Sequence, residues 1–275
     1  MTIDAHQHFW KYNEERDSWI TDEMSVIQRN FLPEDLRPIL AANHIDGSVI
    51  VQSDQSKEEN VFQLANALQH DFVKGVVGWV DFQAENISDQ LDYYQEFKKM
   101  KGFRHVLQGE KQRDFMLRPA FMQGISKLEN FGYTYDILIY PDQLQHTIAF
   151  VKSFPNQRFV LDHIAKPYIK DKKIDDWQSQ ISELAKNENV WCKVSGMVTE
   201  ANWSAWKKDD LAPYLNAVVE AFGTQRLMYG SDWPVCLVAA SYEQVVGLVR
   251  DFFSTFSKTE QEAIFGENAI KFYNL

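Results

Sequence analysis

Cysteine is nearly absent from the 275-residue sequence, which has only Cys192 and Cys236, and the two do not form a CxxC pair. This excludes a disulfide framework and a zinc knuckle, and it is typical of proteins from a reducing compartment. The sequence also lacks an uninterrupted apolar run long enough to span a bilayer, and residues 1–6 show neither a basic nor an apolar signal region. We therefore expect a cytoplasmic protein with no membrane partner.

Positive charge is also scarce, because 28 Lys and Arg residues stand against 39 Asp and Glu residues and give a net charge of −11. Binding to a nucleic-acid backbone needs clustered Lys and Arg that displace counterions, so we expect no nucleic-acid partner. A small anionic ligand is not excluded, since one nearby Arg or Lys can outweigh a distant field. The sequence gives no indication of the oligomeric state.

No segment rich in Pro, Gly or Ser divides the chain, and short apolar runs alternate with amphipathic segments along its length. This length suits one (β/α)8 barrel, which takes roughly 250 residues. Runs that are apolar on both faces are typical of parallel strands covered by helices. The predicted strands cover residues 3–5, 47–51, 75–80, 102–107, 136–139, 159–161, 190–194 and 227–229. The predicted fold class is therefore α/β, a single (β/α)8 TIM barrel over residues 1–275.

Helical periodicity fills the segments between these strands. Prolines and acidic residues predict a helix that starts at residue 33, and the spacing of apolar residues predicts helices over 57–69, 141–154 and 241–253. In the helix over 57–69, the apolar residues at helical spacing are Val61, Leu64, Ala65 and Leu68. A doubly wound open sheet is the alternative fold, but it needs a Gly-rich phosphate turn after the first strand, where this chain has His-Gln-His-Phe.

Polar side chains stand at the predicted ends of several strands, and in a barrel these ends meet at one mouth. His6 and His8 are two residues apart on the first strand, so their side chains point to the same face. His163 follows the sixth strand and Asp232 follows the eighth. Imidazole and carboxylate groups can share a divalent metal ion. We therefore predict that these four residues form one active site and that the same four are the candidate metal ligands.

Asp232 is the predicted general base, because a carboxylate beside histidines or a cation can orient a water and take its proton. The alternative role for Asp232 is an N-cap of the helical segment that follows. Arg104, on the fourth strand, can pair with a substrate oxygen through its forked guanidinium, or it can form a salt bridge at the barrel rim. His105 follows it in the strand and should face the opposite way, toward a helix.

The predicted substrate-binding residues are Arg104, Gln52, Lys166 and Trp233. Pro167 disfavours helical geometry at Lys166, so we expect an extended segment near the mouth. Trp233 can wall a pocket for a sugar-like ligand, or it can pack in the core. Lys193 and Ser195 share a face of the seventh strand, and we expect one or both to line the interior.

Four motifs occur in order at these strand ends: DAHQHFW at residues 4–10, GFRHVLQ at 102–108, LDHIAKP at 161–167 and YGSDWPV at 229–235. Together with IFGENA at 264–269, they resemble the amidohydrolase superfamily of TIM-barrel, metal-dependent hydrolases. Within it, the sequence is most similar to the branch of the L-fuconolactonases and L-rhamnonolactonases, which is related to 2-pyrone-4,6-dicarboxylate lactonase. The resemblance covers residues 4–273, essentially the whole chain.

The resemblance implies that the three histidines of the predicted site line the catalytic centre, that Asp232 activates the hydrolytic water, and that Arg104 holds the substrate. The fourth strand lacks the carboxylated Lys that bridges two metal ions in the superfamily, which leaves one divalent ion, Zn²⁺ first, or metal-independent hydrolysis. The implied reaction is the hydrolysis of an aldonolactone, such as L-fuconolactone or L-rhamnonolactone, to the aldonic acid.

Three alternative functions stay open at this point. The first is a decarboxylase of the same superfamily that acts on an aromatic or muconate-type acid, and the second is a pyrone dicarboxylate lactonase. The third is a non-catalytic binding protein on a barrel scaffold, which has no need for a base beside paired histidines. The fold alone does not decide between them.

Overall fold

The computed structural model describes residues 1–275, and eight parallel strands form one sheet in chain order. The strands are β1 (Ile3–Gln7), β2 (Gly47–Val51), β3 (Val73–Gly78), β4 (Met100–His105), β5 (Thr134–Ile137), β6 (Phe159–Leu161), β7 (Val190–Val194) and β8 (Leu227–Tyr229). Neighbouring strands pair in parallel from β1 to β8, and a single bridge between Gln7 and Trp233 joins the first strand to the segment after the last. The (β/α)8 barrel prediction is confirmed, and the open-sheet alternative is wrong.

Helices lie between the strands and cover the barrel. They are α1 (Pro33–Ala42), α2 (Lys57–Gln69), α3 (Ile87–Tyr94), α4 (Pro119–Phe131), α5 (Leu144–Lys152), α6 (Asp175–Ala185), α7 (Lys208–Phe222), α8 (Tyr242–Phe253), α9 (Lys258–Glu262) and α10 (Asn268–Tyr273). Serine N-caps explain where α2 and α8 begin. The hydroxyl of Ser56 accepts a hydrogen bond from the amide of Glu59, and the hydroxyl of Ser241 accepts one from the amide of Gln244. None of these helices combines the length and the apolar character that crossing a membrane would take.

The apolar face predicted for α2 is wrong at Val61 and Leu68, whereas Leu64 is buried as that face predicts and both ends of the helix are confirmed. Val61 and Leu68 are 66% and 72% exposed, whereas Glu59, Asn60 and Gln63 are buried. The physical reason is that these three polar side chains bind the loops that follow the first three strands. For example, Gln63 donates to the carbonyl of residue 9, and Asn60 donates to that of residue 79. Hydrogen-bond demand from these loops therefore outweighs apolar periodicity in setting which face of α2 is inward.

The interior of the barrel is divided into two layers. The apolar layer comprises Ile3, Ala5, Val49, Val51, Val77, Val160, Trp191 and Met228 from the strands, closed by Ala269, Phe272 and Tyr273 of α10. The polar layer lies further toward the carboxyl ends of the strands and comprises Arg104, Asp136, Asp162 and Lys193, all at most 4% exposed. Because side chains alternate along a strand, Trp191 and Lys193 both point inward from β7 and belong to different layers. The polar layer forms the floor beneath the mouth.

Candidate functional site

The predicted site forms where β1 meets the segment after β8. The pairing of β1 shifts register between Asp4 and Gln7, and the side chains of His6 and His8 both point into the mouth, with their Nε2 atoms 3.2 Å apart. Across the junction, the amide of His8 donates to the carbonyl of Trp233 at 2.7 Å, and the amide of Asp232 donates to the carbonyl of His6 at 2.8 Å. The backbone itself thus brings Asp232 beside the two histidines.

Asp232 lies at the centre of the histidines. Its Oδ1 is 3.3 Å from Nε2 of His8, 3.8 Å from Nε2 of His6 and 3.9 Å from Nε2 of His163. All four residues are at most 5% exposed. The structure therefore brings together the four residues predicted to share one site. The N-cap alternative for Asp232 is wrong, because the short helix Val235–Val238 has no side-chain cap.

His163 is held by an unusual backbone turn. It begins a run of four residues with positive φ, at 54°, 47°, 60° and 49°, which ends at Lys166. The extended conformation predicted at Lys166 is therefore wrong, since the segment curls into a left-handed turn that costs about 1–2 kcal/mol per residue. Gly196 permits the close approach, because a Cβ there would lie 2.6 Å from Nδ1 of His163. Strain of this kind is concentrated at functional sites.

The hydrogen bonds at Nδ1 of His8 and His163 determine which nitrogen of each ring faces the centre of the site. His8 Nδ1 is 2.7 Å from the carbonyl oxygen of Val51, so Nδ1 carries the proton and Nε2 presents a lone pair to the centre. His163 Nδ1 lies 2.9 Å from the hydroxyl of Ser195. This confirms that Ser195 lines the interior, and it orients Nε2 of His163 toward Asp232.

His6 has two partners on its Nδ1 side. Lys193 Nζ is 3.1 Å away and Asp162 Oδ1 is 3.3 Å away. If Lys193 donates to Nδ1, then Nε2 carries the proton and can donate to the lone pair of His8. If Nδ1 carries the proton and faces Asp162, then Nε2 is free to act as a ligand. The surroundings of His6 accommodate both tautomers.

The polar layer is an ion-paired network directly under His6. Lys193 Nζ is 2.5 Å from Asp136 Oδ2 and 2.9 Å from Asp162 Oδ1, which confirms that Lys193 points inward. Burial raises the pKa of Asp136 to about 6, although Lys193 opposes the shift. Burial would also raise the pKa of Asp162, but Lys193, His6 and Arg104 outweigh it and hold that pKa well below its usual value. Asp162 is thus the carboxylate that stays ionised beside His6.

The same physics sets the charge of the cluster. Burial lowers the pKa of both His6 and His163 well below the usual value, so these imidazoles are neutral near pH 7. Burial would raise the pKa of Asp232, but His163, His8 and Lys166 outweigh it and the pKa is lowered. The site therefore combines the neutral imidazoles of His6 and His163 with one ionised carboxylate.

This donor set fits a divalent metal ion. A tetrahedral zinc site with bonds of about 2.0–2.2 Å places its donor atoms roughly 3.3–3.6 Å apart. The His6–His8 separation is 3.2 Å, and Asp232 is 3.3–3.9 Å from the three imidazoles. The proton on Nδ1 of His8 and the carboxylate beside His6 supply the outer contacts that metal-binding imidazoles need. The donor atoms of His6, His8 and Asp232 lie within 4.8 Å of one another and would hold one cation of this kind, with His163, whose Nε2 is 3.9 Å from Asp232, as the fourth ligand.

The predicted substrate-binding residues lie around this cluster in different settings. Arg104 is 4% exposed and donates to Asp162 at 3.0 Å and to the carbonyl of Gln52 at 2.5 Å. Gln52 is fully buried and donates back to the carbonyl of Arg104 at 3.2 Å. Trp233 is 1% exposed and packs edge-on against Phe31, with ring centroids 5.2 Å apart. Contact of these three residues with substrate stays a prediction.

His105 lies outside the site, as its position next to Arg104 in β4 predicts. Its ring stacks on Phe115 with centroids 5.1 Å apart, and its Nε2 is 2.8 Å from Glu110. Arg104 itself makes its ion pair in the buried polar layer rather than at the barrel rim.

Three carboxylates near the site are absent from the predicted set of site residues. Asp136 could have been predicted from the sequence, because it is an acidic residue at an inward position of β5 and Lys193 is a basic residue at an inward position of β7. Asp162 stands directly before His163 and needs the inward register of β6 to be recognised. Glu200 lies on the loop after β7, with Oε1 3.7 Å from Nζ of Lys166. Burial raises the pKa of Glu200, with an opposing effect from Lys166, and no periodicity marks the residue.

Comparisons with known proteins agree with this geometry. A family model described as Amidohydrolase matches residues 3–275. An L-fucono-1,5-lactonase from Burkholderia multivorans is 38% identical over 286 residues, covering 100% of this chain and 96% of the relative. A second L-fucono-1,5-lactonase, from Burkholderia ambifaria, is 34% identical and covers 99% of this chain and 95% of the relative.

A solved structure is also similar over the full length. It is an amidohydrolase from Burkholderia multivorans with bound zinc, 37% identical, with a TM-score of 0.97 and coverage of 100% of this chain and 99% of that one. The family model, the two relatives and the structure confirm the resemblance that the four motifs indicate. The chain belongs to the amidohydrolase family.

Proposed function

We propose that the protein hydrolyses a sugar lactone, of the L-fuconolactone or L-rhamnonolactone type, to the aldonic acid. The observation that carries this proposal is the ionised carboxylate of Asp232 among the imidazoles of three histidines at the barrel mouth. That arrangement occurs in a chain similar over its whole length to two L-fucono-1,5-lactonases. A lactone is an activated ester, so one positioned base and modest electrostatic help suffice to open it.

Asp232 acts as the base in the proposed reaction. It orients a water and takes its proton while the water oxygen attacks the lactone carbonyl carbon. The bond between the carbonyl carbon and the ring oxygen then breaks, and the proton moves from Asp232 to that ring oxygen. A divalent ion held by the four residues of the cluster would, when bound, polarise the carbonyl and lower the pKa of the water.

The buried network keeps the cluster in its reactive charge state. Asp162 stays ionised because Lys193, His6 and Arg104 hold its pKa well below the usual value against the effect of burial. It accepts from Arg104 and lies beside Nδ1 of His6, so it fixes the ring of that histidine. Through this contact, Arg104 supports the catalytic centre as well as serving as a proposed substrate ligand.

Polar groups near the mouth are available for a polyhydroxylated ring. Lys166 and Glu200 are 15% and 20% exposed and lie 3.7 Å apart, so a sugar hydroxyl can bridge the ammonium and the carboxylate. The ammonium of Lys166 also lies 5.6 Å from the ring of Tyr140. We therefore assign Lys166 to hydroxyl binding, together with Arg104 and Gln52 from the predicted set, and Trp233 to the apolar wall of the pocket.

A panel of lactones tests the proposed function. We expect L-fuconolactone or L-rhamnonolactone to be hydrolysed, measured by acid release, and a pyrone dicarboxylate to be left intact at matched concentration. Each assay is run on protein as purified, after chelation, and after zinc is restored, with metal content measured by elemental analysis. Loss on chelation and recovery with zinc place a metal in the reaction, whereas full activity of metal-free protein makes the imidazoles hydrogen-bonding groups.

A matched pair of lysine variants tests the assignment of substrate hydroxyls. Lys166→Met removes the charged donor, so KM for the sugar lactone should rise by roughly tenfold or more. Lys170→Met, in the exposed part of the same loop, should leave KM unchanged.

In the lactone panel, hydrolysis of the pyrone with neither sugar lactone turned over would contradict the proposed function.

A further inference from the structure

The junction of β1 and β8 differs from every other strand pair in the barrel. The seven other junctions are parallel ladders with two or more residue pairs in register, whereas this one has the single bridge between Gln7 and Trp233. Two backbone hydrogen bonds cross it, from the amide of His8 to the carbonyl of Trp233 and from the amide of Asp232 to the carbonyl of His6. The weakest seam of the barrel therefore carries the candidate catalytic cluster.

The side chain of Asp4 supplies hydrogen bonds at this seam, where the strand-to-strand backbone hydrogen bonds are few. Asp4 is fully buried, and its Oδ1 accepts from the amide of Ser231 at 2.9 Å and from the amide of His6 at 3.1 Å. Its Oδ2 accepts from the hydroxyl of Tyr242, the first residue of α8, at 3.0 Å. One carboxylate thus ties the first strand, the turn after the last strand and the helix that follows.

The two amides that Asp4 binds belong to the machinery of the site. One is the amide of His6 itself, at the point where β1 changes register, and the other immediately precedes Asp232. Asp232 has a φ of 58°, a conformation in which local hydrogen bonds must hold the chain. Release of either amide would let the two histidines of β1 move relative to Asp232.

We propose that Asp4 is a positioning residue, which with Tyr242 fixes the spacing between the His6–His8 pair and Asp232. Catalytic and metal-binding groups need placement to within about 0.5 Å, and one carboxylate held by three donors supplies it. Asp4 itself does not reach the mouth, because all of its contacts lie behind the cluster. Its effect on the reaction passes through the backbone at residues 6 and 231.

The test compares Asp4→Ala, Asp4→Asn and Tyr242→Phe with Tyr94→Phe as the control. Tyr94 is a buried tyrosine that accepts a hydrogen bond from Asn60 at 2.8 Å, away from the seam. Measured quantities are kcat and KM for the sugar lactone, zinc affinity by chelator competition, melting temperature, and the separation of His8 Nε2 from Asp232 Oδ1 in crystal structures of wild type and variants.

We expect Asp4→Ala to lower kcat by about 10²-fold with KM within about threefold, and to weaken zinc binding by about 10–100-fold. Asp4→Asn keeps an acceptor for the two amides and should restore most of both properties. Tyr242→Phe should lower kcat by several-fold, whereas Tyr94→Phe should lower only the melting temperature. If Asp4→Ala does not fold, the Tyr242→Phe and Tyr94→Phe pair still decides the matter.

The proposal on Asp4 rests on the proposed function only for the kinetic measurements. Should the wild type hydrolyse no lactone, the proposed function fails, and the crystal structures still test the positioning role. A His8–Asp232 separation that stays at 3.3 Å in the variants, with zinc affinity and kcat unchanged and only melting temperature lowered, would show that Asp4 is a structural residue alone.

Discussion

The apolar and polar layers of the barrel interior are built on the same strands and differ in what they contribute. In the apolar layer, Val77 and Met228 are fully buried within the cluster that α10 closes, and burial of such surface stabilises the fold by about 25 cal/mol per Å². In the polar layer, Lys193 and Asp136 are equally buried but ionisable, so much of their attraction is offset by lost hydration. The apolar layer therefore contributes mainly to stability, and the adjacent polar layer contributes mainly to the chemistry of the site.

Asp232→Asn should have the largest effect, and on activity alone. The amide keeps the shape of the carboxylate but cannot accept a proton, so kcat should fall by roughly 10²–10⁴-fold. The melting temperature should change little, because the backbone contacts of Asp232 across the seam persist. Turnover close to that of the wild type would remove Asp232 from the role of base.

Met228→Ala is the matched control from the apolar layer. Truncation of this buried side chain should reduce the free energy of unfolding by about 2–5 kcal/mol, measured by chemical denaturation. The kcat of the folded variant should stay within about twofold of wild type. Equal losses of kcat in both variants would mean that the two layers are not functionally distinct.

Lys193→Met should have the next largest effect, on stability. Removal of the ammonium leaves Asp136 without a cation and Asp162 with Arg104 alone, which should reduce the free energy of unfolding by about 3–5 kcal/mol. The double variant Lys193→Met with Asp136→Asn should recover part of that loss, because one of the two buried carboxylates is then neutral. No recovery in the double variant would place the stabilising contact of Lys193 elsewhere.

The sequence predicts the barrel and the meeting of the cluster, because both follow from chain order. Once strands alternate with helices, residues at the carboxyl ends of β1, β6 and β8 must share the mouth, which is why His6, His163 and Asp232 are found together. The roles of Asp4 and Asp162 are not predictable in this way. The role of Asp4 depends on the register shift in β1, which has no periodic signal, and the role of Asp162 depends on the inward register of β6, which at three residues is too short to show a period.

The failed prediction for α2 has the same origin. Its inward face is set by the three loops at the mouth and not by apolar spacing, so buried Glu59, Asn60 and Gln63 replace Val61 and Leu68. Loops bring unpaired backbone groups, and a polar side chain beneath them satisfies those groups. Buried polar side chains are therefore found outside the barrel at its rim as well as in the polar layer inside it.

The smallest expected effects separate the two faces of α2. Gln63 Nε2 donates to the carbonyl of residue 9 at 2.7 Å and to Glu59 at 2.8 Å, so Gln63→Ala leaves that buried carbonyl without its side-chain donor, while Glu59 still accepts from Ser53. The free energy of unfolding should fall by about 1–3 kcal/mol. Leu68→Ser, on the exposed apolar face, should change it by less than about 0.5 kcal/mol in either direction. Chemical denaturation of both variants compares the faces directly, and a larger loss for Leu68→Ser would restore apolar spacing as the determinant of how α2 is oriented.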